Sequence, residues 1–451
     1  MILAPPANAP FPAETVLQPS AQGHSAIALA SCDSASDAPC SIPVHVGLFF
    51  DGTNNNQERD RDGKRIGLSD PRTKIPAPMA SKPLAPEECC HSNVVRLFRA
   101  FPGDKQDRGY FRNYIPGVGT PFKEIGELTE TAGGKRFATG GQPRIVWGLL
   151  QVLNALHMTA YRQEPLYKDE YAGQLAQSYG SEIGRIEQRG NGKGPVTVMT
   201  HRKWFAPHLA RLKAALGATP KPTIPSLTIS VFGFSRGAAE AVAFCHLFDE
   251  LLDAGRLAGI QARISFLGVF DTVASVGGSA SIASTLPLPD AVFDGHWWWA
   301  DRILDPLPDC VHGGRHFISA HELRMNFPAT RLQGNIKEVY YPGVHSDVGG
   351  GYAPGDQGKG RGKQAALLSQ IPLLHMYQAA REAGVPLVPF SELEARDRID
   401  FEVDAALASA WTAYTAALGE HGAFLTTHME LYYRWRAARL DTLETTASFR
   451  A

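Results

Sequence analysis

Short apolar stretches, each closed by a glycine-rich or polar break, recur along the chain and alternate with segments of helical period. Residues 44–50 (Val-His-Val-Gly-Leu-Phe-Phe) read as a buried strand ending in Asp51-Gly52-Thr53-Asn54. Residues 109–115 read as a second strand, closing on Pro116-Gly117-Val118-Gly119-Thr120. Residues 227–234, 263–270 and 336–341 read as three more. Between them, a helix is predicted from the cap Ser92-Asn93 through Phe98, another over 144–162 and another over 208–216. Ala239, Val242, Ala243, Leu247 and Leu251 then recur at helical spacing and stop near Gly255. A further helix is predicted over 365–383, and the remainder to residue 451 reads as mostly helical. Residues 163–200 are polar and carry no assignable period. Strands alternating with helices predict an α/β fold with a mostly parallel central sheet covered on both faces. Chemistry in such sheets gathers at the carboxyl ends of the strands.

One strand end stands out. The run 227–234 leads into Gly233-Phe234-Ser235-Arg236-Gly237, and a helix follows at once. Strand, sharp turn and helix are the setting of a nucleophile elbow. Flanking glycines let strand and helix pack close around a serine with strained backbone angles. The Arg236 N–H then points where an oxyanion forms, at the positive end of the helix. An ordinary glycine-rich βα turn or a phosphate-binding loop is the competing reading of the same five residues.

Two more polar groups follow strands further on, Asp271 and His345, so the order is Ser…Asp…His, that of the α/β-hydrolases. Neutral imidazole is a base of suitable strength for a serine hydroxyl, and a carboxylate fixes its tautomer. Asp347 is the rival acid, and His312, His316 and His321 are rival bases in weaker strand context. The turn Gly52-Thr53 is a candidate second oxyanion donor, with a structural Asx turn as its alternative. Asp51, His345 and Asp347 as metal ligands form a third arrangement, but no full ligand set stands at metal spacing. No cofactor is expected.

Composition narrows the class without changing this picture. The chain has 451 residues, 44% hydrophobic and 20% charged, as in an ordinary globular protein with a sizeable core. A net charge of −1 offers no electrostatic case for nucleic acid or for bulk attraction to anionic lipid. Six cysteines, irregularly spaced, read as reduced thiols, with a Cys32–Cys40 bridge as the alternative in an oxidising compartment. No apolar run is long enough to span a bilayer, and the N-terminus lacks the pattern of a secretory signal. The expected organisation is a flexible Ala/Pro/Ser-rich leader (1–42), a catalytic domain (43–388) and a C-terminal helical segment (389–451). Within the second, 276–310 is a candidate lid, with Gly277-Gly278 as hinge and Trp297-Trp298-Trp299 as an acyl-facing surface. The stretch from Met429 to Leu440 mixes Tyr432, Tyr433 and Trp435 with three arginines, and reads as a docked helix with snorkelling arginines or a membrane-surface helix.

Six ordered blocks resemble a known family. They are Phe49-Phe50-Asp51-Gly52-Thr53-Asn54, Ser92-Asn93-Val94-Val95-Arg96-Leu97, Pro116-Gly117-Val118-Gly119-Thr120, Gly233-Phe234-Ser235-Arg236-Gly237-Ala238, Gly268-Val269-Phe270-Asp271-Thr272-Val273, and Pro342 through Tyr352. Together they resemble the α/β-hydrolase catalytic domain of the first family of type VI secretion phospholipase effectors. The resemblance spans about 44–385, and residues 163–225 lie outside its blocks. It implies Ser235 as nucleophile, Asp271 as acid and His345 as base, in a phospholipase A type hydrolase used as an antibacterial toxin. It also implies a phospholipid substrate, a secretion spike protein and an immunity protein as partners. Delivery would be from the bacterial cytoplasm to a target-cell periplasm by type VI secretion. A soluble small-ester esterase and an inactive hydrolase-fold adaptor are the alternatives.

Overall fold

The computed structural model describes residues 1–7, 41–61, 85, 88–103, 106–131, 140–183, 186–188, 196–218, 222–274, 298–324, 327–355 and 363–443. Its centre is a sheet of seven parallel strands: β1 (Ile2–Leu3), β2 (Val44–Phe50), β3 (Tyr110–Ile115), β4 (Ser226–Phe234), β5 (Ile260–Phe270), β6 (Gly314–Ser319) and β7 (Lys337–Tyr341). Their spatial order is β1-β7-β6-β5-β4-β2-β3, and Arg256–Leu257 adds a short antiparallel pairing on β5. This is the α/β, hydrolase-like arrangement expected from the alternating pattern.

Strand composition explains the layering. In β2, Val44, Val46, Leu48 and Phe50 join one core while Phe49 joins the other, the period of two expected of a strand buried on both faces. One core lies under α2 (Gly141–Ala160), α3 (Asp169–Glu182), α4 (His201–Ala218) and α5 (Arg236–Glu250). The other lies under α1 (Asn93–Ala100), α7 (Gln370–Glu382) and α8 (Ala405–Leu418). The chain passes from β2 to β3 on one side, and then from β4 outward on the other side of β2. The order reverses between β2 and β4, the position beyond whose strand ends open α/β sheets bind ligands.

Three elements differ from the pattern-based expectation. Strand β6 has no apolar run, because Arg315 and His316 interrupt it. His316 is nonetheless fully buried, held by Glu338 Oε1 at 3.1 Å and by the Thr272 N–H at 3.2 Å. Part of the expected leader is docked: Ile2 and Leu3 pair with Glu338 and Val339. Pro6 O and Ala7 O then accept from Trp411 Nε1 and Thr415 Oγ1 of α8, while 8–40 lie outside the described residues. The unassigned stretch 163–200 contains α3 and a small antiparallel pair, Ile186–Gln188 with Val196–Val198.

Buried Arg144 explains the block Pro116-Gly117-Val118-Gly119-Thr120. Its guanidinium donates to Pro116 O (2.8 Å), Gly140 O (3.0 Å) and Thr120 O (3.1 Å) and pairs with Glu127 at 2.8 Å. Arg144→Met fills similar volume but leaves these carbonyls without a donor, and unpaired buried polar groups cost about 1–3 kcal/mol each. Denaturant unfolding should therefore show a loss of about 3 kcal/mol or more. A loss below about 1 kcal/mol would mean that water replaces the guanidinium.

Candidate active site

Strand β4 ends at Phe234, and Ser235 adopts φ 58°, ψ −125° as the residue preceding α5. Such angles cost a non-glycine residue on the order of 1–3 kcal/mol, so the surroundings must enforce them. The Ser235 N–H donates to Phe270 O (3.0 Å), and Ser235 O accepts from Ala238, Ala239 and Val273. The glycines have a steric role. A Cβ on Gly233 would stand 2.6 Å from Ala238 Cα, and one on Gly237 2.2 Å from Asp51 O. Close approach of strand, helix and the β2 loop therefore requires glycine at both positions.

Asp271 occupies the next strand end, since Phe234 and Phe270 are in register, and it too has positive φ, 41°. Its N–H donates to Phe317 O of β6. Its fully buried carboxylate accepts from the Ser319 N–H (2.9 Å), the Ser319 hydroxyl (2.7 Å) and His345 Nδ1 (2.6 Å). His345 opens the short helix α6 (His345–Gly349) after β7. Its ring lies between Phe234 (centroids 4.7 Å) and Phe327 (5.0 Å), and Nε2 is buried with no hydrogen-bond partner. With Nδ1–H directed to the carboxylate, Nε2 is left as the acceptor, the state a general base needs. Asp271 and His345 are thus brought together, next to the Ser235 turn.

The rival residues have other partners. Asp347 Oδ2 accepts the Val344 N–H at 2.9 Å, closing the turn before the base. His316 is the buried partner of Glu338 described above, and His312 is exposed. His321 Nδ1 accepts the Gly343 N–H at 3.0 Å. Asp51 carries no free oxygen for an ion: Oδ1 accepts from Gly52 N–H (2.7 Å) and Ser92 Oγ (2.6 Å), and Oδ2 from Tyr114 OH (2.6 Å). This corrects the expectation for Gly52, whose N–H is drawn inward by a neighbouring carboxylate and cannot face an oxyanion. Thr53 stays at that turn, its hydroxyl buried and without a partner. Arg236 is the first residue of α5, where N–H groups have no intrahelical acceptor.

Burial pushes the Asp51 carboxyl up to about 7, against the opposing pull of its bonds from Ser92 and Tyr114. Of the candidate lid, 276–297 lie outside the described residues. Trp299, which is described, packs in the core against Gly141 rather than facing outward.

Sequence reasoning missed the segment after β6. Ser319, the last residue of β6, holds the Asp271 carboxylate, and Glu322 Oε2 accepts the backbone N–H of His345 at 3.2 Å. Arg324 binds Glu322 through Nε (2.9 Å) and Nη2 (2.6 Å) and lies 4.1 Å over the Phe327 ring that flanks the base. Ser319, Glu322, Arg324 and Phe327 therefore hold Asp271 and His345 together. The pairing of a buried serine with a strand-end aspartate has no sequence signature, but Glu-x-Arg followed by Phe in a polar loop was visible.

Two outcomes follow. Removing the Glu322 acceptor loosens the base without touching substrate, so Glu322→Ala should lower kcat about tenfold, roughly one hydrogen bond's worth, with KM unchanged. Glu322→Gln keeps an acceptor and should stay within about twofold of wild type. For Asp51 the folded value lies above the unfolded one. Its contribution to stability is therefore full below the unfolded value and lost as pH rises through about 7. The melting temperature of wild type relative to Asp51→Asn should fall between about pH 5 and about pH 8. A flat difference would mean that Asp51 titrates elsewhere.

Residues 248–379 match the family model described as the type VI secretion system phospholipase effector Tle1-like catalytic domain. An uncharacterized protein from Pseudomonas aeruginosa, of known crystal structure, is 32% identical with a TM-score of 0.71. That match covers 95% of this chain and 58% of the other, so the chain spans little over half the length of that protein. The Tle1 effector, solved bound to the VgrG spike of the type 6 secretion system, is 17% identical with a TM-score of 0.40, covering 87% of this chain and 84% of that one. No curated protein matches. The resemblance carried by the six motif blocks and the family matched at residues 248–379 agree: both are the catalytic domain of Tle1-like phospholipase effectors of type VI secretion.

Proposed function

We propose that the chain is a serine-dependent hydrolase of phospholipid acyl esters, of phospholipase A type, delivered as an antibacterial type VI effector. The observation that carries the proposal is the buried Asp271–His345 pair beside a serine held at positive φ, with the imidazole Nε2 unpartnered. In this reading His345 Nε2 takes the Ser235 proton as Oγ attacks the acyl carbonyl. The Arg236 N–H and a donor at Thr53 hold the oxyanion. The lysophospholipid leaves with the proton from His345, and a water activated by the same nitrogen releases the fatty acid. Type VI delivery draws support from the matched family. A spike protein as carrier and an immunity protein as inhibitor belong to the same proposal. Among the described residues, no helix is long and apolar enough to cross a membrane.

The test is fatty-acid release from phospholipid vesicles, with chelator present throughout, comparing wild type with Ser235→Ala and His345→Ala. Release should fall by at least about 10³-fold in either variant, the scale of losing a triad member. Hydrolysis confined to short soluble esters would favour the small-ester reading. Toxicity that survives Ser235→Ala would favour the inactive adaptor.

A further inference from the structure

The described residues expose eleven large hydrophobic side chains, and five of them (Phe424, Leu425, Tyr433, Trp435 and Leu440) fall within one short C-terminal stretch. This stretch contains α9 (Leu425–Ala437), which is tied to the body at its start, where His428 is buried. From residue 433 to 442 every side chain is exposed. The helix therefore leaves the body and keeps water on all sides, a costly place for Tyr433, Trp435 and Leu440 unless another surface covers them.

Arginines organise this projection. Arg436 lies 5.6 Å over Tyr432, Arg439 lies 5.0 Å over Trp435, and the Tyr432 and Trp435 rings stack at 6.4 Å. These residues are spaced three and four apart and so form one ridge. Each guanidinium shields a ring in water, Arg436 also donating to the Tyr432 hydroxyl at 3.0 Å, and both residues stay exposed to meet an anion. The ridge begins beside the candidate site. Tyr432 stacks on His321 (4.9 Å), whose Nδ1 holds the Gly343 N–H two residues before His345. Leu323, 56% exposed, follows in the same loop.

We propose that this ridge is an interfacial docking surface for anionic phospholipid bilayers, which seats the entrance of the candidate site on the lipid. Aromatic rings beside arginines suit the headgroup boundary, where rings enter the acyl edge and guanidiniums meet phosphate. The inference rests on the lipid-ester reading above for its purpose, not for its binding test.

The experiment uses the full chain carrying Ser235→Ala, so that vesicles stay intact, and measures co-sedimentation with phosphatidylglycerol-containing and pure phosphatidylcholine vesicles. Binding should favour the anionic vesicles and weaken with salt. Adding Tyr433→Ser and Trp435→Ser should reduce it at least tenfold, and Arg436→Gln with Arg439→Gln should remove the anionic preference. In the Ser235 background, the same substitutions should leave melting temperature and short-chain soluble ester hydrolysis unchanged. Absence of vesicle binding, or binding indifferent to these substitutions, would overturn the proposal. So would sedimentation velocity showing a dimer that the substitutions dissociate, since the ridge would then be covered by a second copy. Vesicle binding by a chain that retains Ser235 yet hydrolyses no ester would sink the catalytic reading alone.

Discussion

The structure depends on a steric constraint at two adjacent strand ends. Ser235 and Asp271 both take positive φ, and each is fixed by the strand beside it: the Ser235 N–H by Phe270 O, the Asp271 N–H by Phe317 O. The chain leaves β4 and β5 through turns that side chains ordinarily avoid, and the sheet enforces them through buried backbone bonds. Because the turns are set by the main chain, both side chains face the same end of the sheet. The close contact of Gly237 with the backbone of Asp51 then draws the β2 loop into the same place. Six buried strands and two packed cores are the frame that keeps this crossing from relaxing.

Around it lies a shell of polar groups with assigned partners. Asp51 gathers Gly52, Ser92 and Tyr114, so that three separated blocks of sequence meet on one carboxylate. Ser319 and Glu322 do the same for Asp271 and His345. In a water-poor interior such bonds gain strength and unpaired groups become costly. That gives physical meaning to the few atoms left without partners. His345 Nε2 and the Thr53 hydroxyl are buried polar atoms in this region that no protein group satisfies. On the function proposed above, a reacting serine and ester would supply the missing bonds.

Much of this was legible in the chain. Strands β2, β3, β4, β5 and β7 follow from apolar runs, and Asp271 and His345 were singled out because each follows such a run. The sharp strand-to-helix turn at Ser235 was readable because glycines at 233 and 237 sit between an apolar run and a helical period. Strand β6 was not readable. Its ladder position depends on His316, whose burial is tolerable only through Glu338 and Thr272, partners on other elements. The inward turn of Gly52 was hidden for the same reason: it depends on where Asp51 points, and Ser92 and Tyr114 set that from a distance. Local pattern encodes elements, while the direction of a single N–H is a property of the assembled interior.

The pairing of Ile2 and Leu3 with Glu338 and Val339 has a consequence in time. During synthesis the first residues emerge long before their partners, so β1 has no edge to join until β7 exists. His345 follows β7 by only a few residues, and the base loop and the sheet edge are therefore completed together. A nascent chain that has formed the Ser235 turn still lacks both His345 and its closing strand. Assembly of the candidate site thus waits until the chain has been made beyond residue 345.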